Sequence, residues 1–270
     1  MDLMTQLTIA INLALGLVYV SYAFLTIDDL RHNRTSRGGS HLAYGFTAIM
    51  LTCGPHHIDH ALHLATGNDV PGALDLVVVA TGLPTGLVWF LLRLEARRGG
   101  PGDRRIESRT VIEVLRTVAA IGVVGVVAAV MTFEPAEAGW QEQLFSWRLL
   151  PNALIVVLYL TVGAILLRTQ IRRYGVDGTW SLSGLGITGV FPTCAAMHAV
   201  WMGYVVSGRY EPEIHLLVID TIAVPAALYF IVVSWLLGEG RISGGGGAWS
   251  DVSRPAGHDE AEAEELLRLP

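Results

Sequence analysis

A chain of 270 residues that is 52% hydrophobic and only 16% charged, with a mean hydropathy of +0.48, is too apolar for an ordinary soluble domain. Its formal net charge of −6 owes much to an acidic terminal segment, and its basic residues sit in short loops, so nucleic acid is not an expected partner. No lysine occurs anywhere, which excludes a retinal Schiff base, and no phosphate loop, dinucleotide glycine fingerprint or nucleophile elbow is present.

Apolar runs near the 20 or so residues needed to cross a bilayer occur at 6–27, 41–65, 73–93, 110–132, 149–168, 181–206 and 214–238. They predict an all-α integral membrane protein, a seven-transmembrane-helix bundle in the lipid bilayer. The opening MDLMTQ lacks the basic region of a secretory signal, so the first run reads as a retained helix. Arg31, Arg34 and Arg37 follow that run, Arg97, Arg98, Arg104, Arg105 and Arg109 follow the third, and Arg168, Arg172 and Arg173 follow the fifth. The alternate connections ATGNDVPGA, EPAEAGWQEQLFSW and SGRYEPEI are poor in basic residues. Basic loops stay cytoplasmic, which predicts a multi-pass protein of the plasma (inner) membrane with its N-terminus outside and its C-terminus inside. Residues 239–270 combine a Gly-rich linker with an acidic run and read as a disordered cytoplasmic tail.

Shifting the chain against itself by 141 residues lays the second run on the sixth and the third on the seventh. GFTAIMLTCGPHH falls on GITGVFPTCAAMH, matching Thr52 with Thr193, Cys53 with Cys194 and His57 with His198. Pro71 and Pro84 fall on Pro212 and Pro225, and a one-residue adjustment brings Asn12 and Tyr19 over Asn152 and Tyr159. The expected architecture is a parallel 3+1+3 repeat, with 1–93 as the first three-helix unit and 148–238 as the second. Between them, 94–147 supplies a basic inner loop, the odd linking helix and an outer loop.

The second and sixth runs each carry Thr-Cys-x-x-x-His in their outer halves. Residues four apart share a helix face, so Cys53 with His57 and Cys194 with His198 can converge from two sides. Two thiols and two imidazoles suit copper or zinc. His57 and His198 are the primary ligand candidates, also able to serve as the axial pair of a haem b, and Cys53 and Cys194 come next. His56 and His60 form a further ring, and Met197 and Met202 flank His198 with thioethers that favour Cu(I). Asp59, costing about 2.5–3.5 kcal/mol near a helix centre, needs a partner and is expected to orient a ligating imidazole. His63, His215 and Asp220 are expected around the ligands. Apart from ligation, the two cysteines could pair as a disulfide or only pack.

Met197-His198-x-x-x-Met202 resembles the Met-His-Tyr-Thr-Gly-Met signature of the MHYT family of bacterial membrane sensor domains, with Ala199 and Val200 in place of Tyr-Thr. The resemblance implies a multi-helix, metal-dependent sensor whose His and Met residues lie near the outer face. The expected function is therefore binding of a transition metal or haem for redox chemistry or sensing, acting through a cytoplasmic signalling or redox partner; a homo-oligomer is compatible with it. Two rival readings are a metal or small-solute transporter and an intramembrane metal-dependent hydrolase, so catalytic turnover is left open.

Overall fold

The computed structural model describes residues 1–37, 40–67, 71–107, 146–208, 210 and 214–238, with six single positions between 113 and 127. Among these the chain is helical apart from one two-residue ladder, in which β1 (Arg105–Ile106) pairs antiparallel with β2 (Trp180–Ser181). The six described helices are α1 (Leu3–Arg37), α2 (His41–Thr66), α3 (Ala73–Arg97), α4 (Leu150–Asp177), α5 (Leu182–Val206) and α6 (Ile214–Gly238). They correspond to all the predicted runs except 110–132, of which only those six positions are described; the 239–270 tail lies outside the described residues.

Local chemistry sets the boundaries. The Asp2 carboxylate accepts from the Thr5 amide at 2.7 Å and caps α1, a bond that also holds its pKa below the usual carboxylate value. Ser40 and Ser181 cap α2 and α5, their hydroxyls accepting from the amides of Ala43 and Gly184. Pro151 sits in the first turn of α4, where its missing N–H leaves no intrahelical bond unmade. Gly67 ends α2 at a φ of 77°, the left-handed conformation that glycine adopts without a Cβ clash. Helices α1 and α4 outrun their apolar segments by ten and nine residues, because Arg31 to Arg37 and Arg168 to Arg173 limit burial in lipid but not helical hydrogen bonding.

Five of the six described helices, all but α2, are long and apolar enough to cross a membrane. At 26 residues α2 is a residue longer than α3, α5 and α6, but its imidazoles and Asp59 lower its hydropathy. Large apolar side chains such as Leu17, Phe24, Leu91, Val157, Val218 and Val232 stand exposed around the bundle, the surface a lipid-facing protein presents.

Helix α1 packs on α2 and α3, and α4 packs on α5 and α6; α2 then meets α6, and α3 meets α5. The α1–α2 crossing is close. A Cβ on Gly16 would lie 2.8 Å from the Gly54 carbonyl, and one on Gly54 would lie 3.1 Å from that of Gly16. Toward the α2 N-terminus the interior is an aromatic layer. Tyr22 stacks on Trp89 with centroids 4.0 Å apart, Phe46 meets Trp89 edge-on at 3.8 Å, and Phe191 stacks on Phe230 at 5.4 Å. Below it, buried Arg93 donates to Asp29 at 2.5 Å and lies over the Tyr22 ring, while Arg97 pairs with Asp28.

Candidate metal centre

The site is assembled from five helices at mid-bundle. On α2, Cys53, His56 and His57 fall within one turn and a little more; α5 brings Cys194, Met197 and His198, and these six residues line one cavity about the size of a water molecule. All but Met197 are buried.

What holds each imidazole is informative. His57 Nδ1 lies 2.9 Å from Asn12 Oδ1 on α1, and the Asn12 amide donates in turn to the Thr8 carbonyl at 3.0 Å. That second bond fixes which end of the amide faces the histidine: the end that can only accept. Nδ1 must then carry the proton, which leaves Nε2 with a lone pair for a ligand. His198 repeats the arrangement. Its Nδ1 lies 2.5 Å from Asn152 Oδ1 on α4, while Asn152 Nδ2 donates to Asp220 Oδ2 at 2.5 Å. His56 Nδ1 lies 3.1 Å from Asp220 Oδ1 on α6, a carboxylate–histidine pair of the kind that supports metal ligation. Donor atoms of His56, His198 and Asp220 fall within 4.8 Å of one another, and the His56 and His198 ring centroids are 4.8 Å apart.

The thiols complete the layer. Cys53 Sγ is 3.0 Å from the Tyr159 hydroxyl and Cys194 Sγ is 3.6 Å from the Tyr19 hydroxyl, so each cysteine is held by the tyrosine of the opposite half of the chain. The same tyrosines stand edge-on to the histidines of their own halves, Tyr19 to His57 at 5.6 Å and Tyr159 to His198 at 6.0 Å. Both cysteines are free thiols, without the disulfide that spacing alone allowed. Every contact in this set has a counterpart 140 or 141 positions along the chain.

From the cavity a line of titratable groups runs along α2 toward its C-terminus. A second small cavity shares His56 and Met197 with the first and continues past His60, Asp75, Val200, Trp201 and Tyr204. There His60 Nε2 lies 3.1 Å from Asp75 Oδ2 at the start of α3. On the neighbouring face of α2, one residue before His60, Asp59 lies 3.0 Å from His215 Nε2 and 3.5 Å from His63 Nε2.

The predicted ligands Cys53, Cys194, His56, His57, His198 and Met197 are thus brought together. His60 stands one turn away, and Asp220 is nearer than a surrounding role suggests. Met202 lies apart, against the apolar cluster of Leu149, Trp201 and Leu216, because it sits a turn beyond the cavity. Asp59 does not orient His57 or His198; it faces His63 and His215, since it stands two residues, about 200° of helix, from His57 and so on another face of α2, the one it shares with His63 at i+4. The groups that do orient the imidazoles, Asn12 and Asn152, are not singled out by sequence reasoning, and neither are Tyr19, Tyr159 and Asp75. The first four carried a signal, since they coincide under the repeat; Asp75 carried none. No protein-family model matches the chain, and no curated protein or solved structure is found similar to it.

Proposed function

We propose that the chain is a seven-helix plasma-membrane protein, N-terminus outside, that holds one transition metal ion between α2 and α5, the second and sixth of the seven helices, for redox chemistry or sensing. The observation that carries this reading is the set of three buried imidazoles, His56, His57 and His198, each with Nδ1 against a carbonyl or carboxylate acceptor, around a cavity shared with two free thiols. Any buried imidazole N–H needs an acceptor; what supports a ligand set is that all three acceptors hold the tautomer that leaves Nε2 unprotonated, around one cavity that two thiols also line.

Two thiols with Met197 beside the imidazoles favour copper, Cu(I) above all, with zinc the alternative. A cavity with room for a single small atom supports a bare ion over a porphyrin. Of the Met-His-x-x-x-Met likeness to MHYT domains, Met197 and His198 line the cavity and Met202 does not. The paired contacts support the parallel 3+1+3 repeat, with the predicted helix at 110–132 as the odd linking element.

The aromatic layer of Tyr22, Phe46, Trp89, Phe191 and Phe230 closes the bundle on the cytoplasmic side, which supports a resident ion over a transported one. Access is from outside, along His60 and Asp75. A change of ion or ligand state then reaches a cytoplasmic or redox partner through the helices. Elemental analysis of detergent-purified wild type and of the His57→Ala, His198→Ala double variant is the test. The wild type is expected to carry about one equivalent and the double variant less than a tenth of it; full metal content in the double variant overturns the assignment.

A further inference from the structure

The two halves of the chain share the Asn–His–Cys–Tyr layer, but the acid and imidazole stripe of α2 belongs to one half only. Under the 141-residue shift Asp59 and His63 fall on Val200 and Tyr204, and His215 falls back on Leu74. Nothing about the shared layer calls for these three groups. Yet they meet at the water-facing end of the bundle, two from the last turns of α2 and one from the first turn of α6.

We propose that Asp59, His63 and His215 form a second, water-accessible site for a divalent transition ion, separate from the buried centre. Bonds of about 2.0–2.1 Å to a tetrahedral ion place its ligands roughly 3.3 Å from each other. Asp59 lies 3.0 and 3.1 Å from His215 Nε2 by its two oxygens and 3.5 Å from His63 Nε2, already close to that edge length. All three donor atoms lie within 4.8 Å of one another, so the two imidazoles need only close slightly around an ion. The rings are near parallel, 26° apart with centroids at 5.7 Å, and can turn together toward one point. The His215 side chain is 46% exposed and that of Asp59 21%, which leaves the fourth coordination position to water.

Two neutral imidazoles and one carboxylate, with no sulfur, select a borderline divalent ion, Zn²⁺ or Cu²⁺, where the buried thiols select a softer one. The carboxylate offsets one charge of the ion. An open fourth position makes the site exchangeable, and its place at the mouth of the stripe puts a reservoir of divalent ion next to the path toward His60 and Asp75. The ion would also clamp the C-terminal end of α2 to the N-terminal end of α6.

The test is a Zn²⁺ titration of the full chain in detergent, repeated with Co²⁺ as the spectroscopic probe, on wild type and on Asp59→Asn, His215→Gln protein. Both substitutions are near-isosteric and partly exposed, and an unchanged content of tightly held metal confirms the fold. The wild type is expected to bind one exchangeable equivalent, its Co²⁺ form showing d–d bands without thiolate charge transfer in the near ultraviolet. In the variant that equivalent weakens by about 100-fold or more, two of three ligands having lost their basic donor atoms. Superimposable isotherms, or a thiolate band on the exchangeable ion, overturn the proposal. A wild type that holds only the exchangeable equivalent would sink the buried centre and leave this site standing.

Discussion

Asn12 and Asn152 decide what His57 and His198 can do. An amide oxygen is a permanent acceptor, so it selects the Nδ1–H tautomer whatever else surrounds the ring, and it does so without adding a charge in the membrane. His56 reaches the same state through Asp220, at the cost of a buried carboxylate that the Asn152 amide partly satisfies. Replacing Asn12 or Asn152 by Leu removes the acceptor and frees the ring to flip. Metal affinity then falls by about 10–100-fold, read by competition with a chelator of known strength; an unchanged affinity means the amides only fill space. The thiols act differently. Cys53→Ser with Cys194→Ser removes the soft donors while keeping their volume, and lowers affinity for Cu(I) more than for Zn²⁺. Equal losses for both ions would place the sulfurs outside the coordination sphere.

Among the elements, α2 carries the site and is the one described helix whose hydropathy falls short of a membrane span, for one reason. Its histidines and Asp59 lower its hydropathy, and the groups that satisfy them come from α1, α3 and α6, which no local window can see. The helix is held against α1 by the crossing at Gly16 and Gly54, where backbones approach closely enough for dispersion contacts along the whole interface. Gly54→Leu drives a side chain into Val20 and the Gly16 carbonyl, and costs about 1–3 kcal/mol by overpacking. Thermal unfolding in detergent should show a lowered midpoint together with lost metal, because the same displacement parts Asn12 from His57; a variant as stable as wild type shows that the crossing yields freely. The Asp29–Arg93 pair is the corresponding tie between α1 and α3 at the far end. Asp29→Ala leaves a buried guanidinium without its carboxylate and destabilises by about 3–5 kcal/mol, whereas the joint change of both residues to apolar ones costs less.

For the whole molecule, composition made the membrane class legible, and the 141-residue shift in the sequence paired Cys53 with Cys194 and His57 with His198, the residues that line one cavity. Hydrogen-bond partners were less legible. Asn12 and Asn152 coincided under the repeat but polar residues on apolar helices look alike until the helix they face is known. Asp75 and His60 lie fifteen residues apart across a loop and owe their meeting to the α2–α3 turn alone. Asp59 stands two residues from His57, on the face of α2 it shares with His63, and its partner His215 comes from α6, which no local pattern on α2 indicates. The orientation proposed from the arginine-rich loops is open to a direct check at this scale: a reporter at the C-terminus should be active only on the cytoplasmic side.

The account stands on a resident ion at the shared layer. Its most direct test is elemental analysis with an optical spectrum on wild-type protein purified from metal-replete cells, without chelator at any step. About one tightly held equivalent of copper or zinc, with no Soret band, is the expected result. Protein free of metal under those conditions, or a Soret band from bound haem, contradicts it.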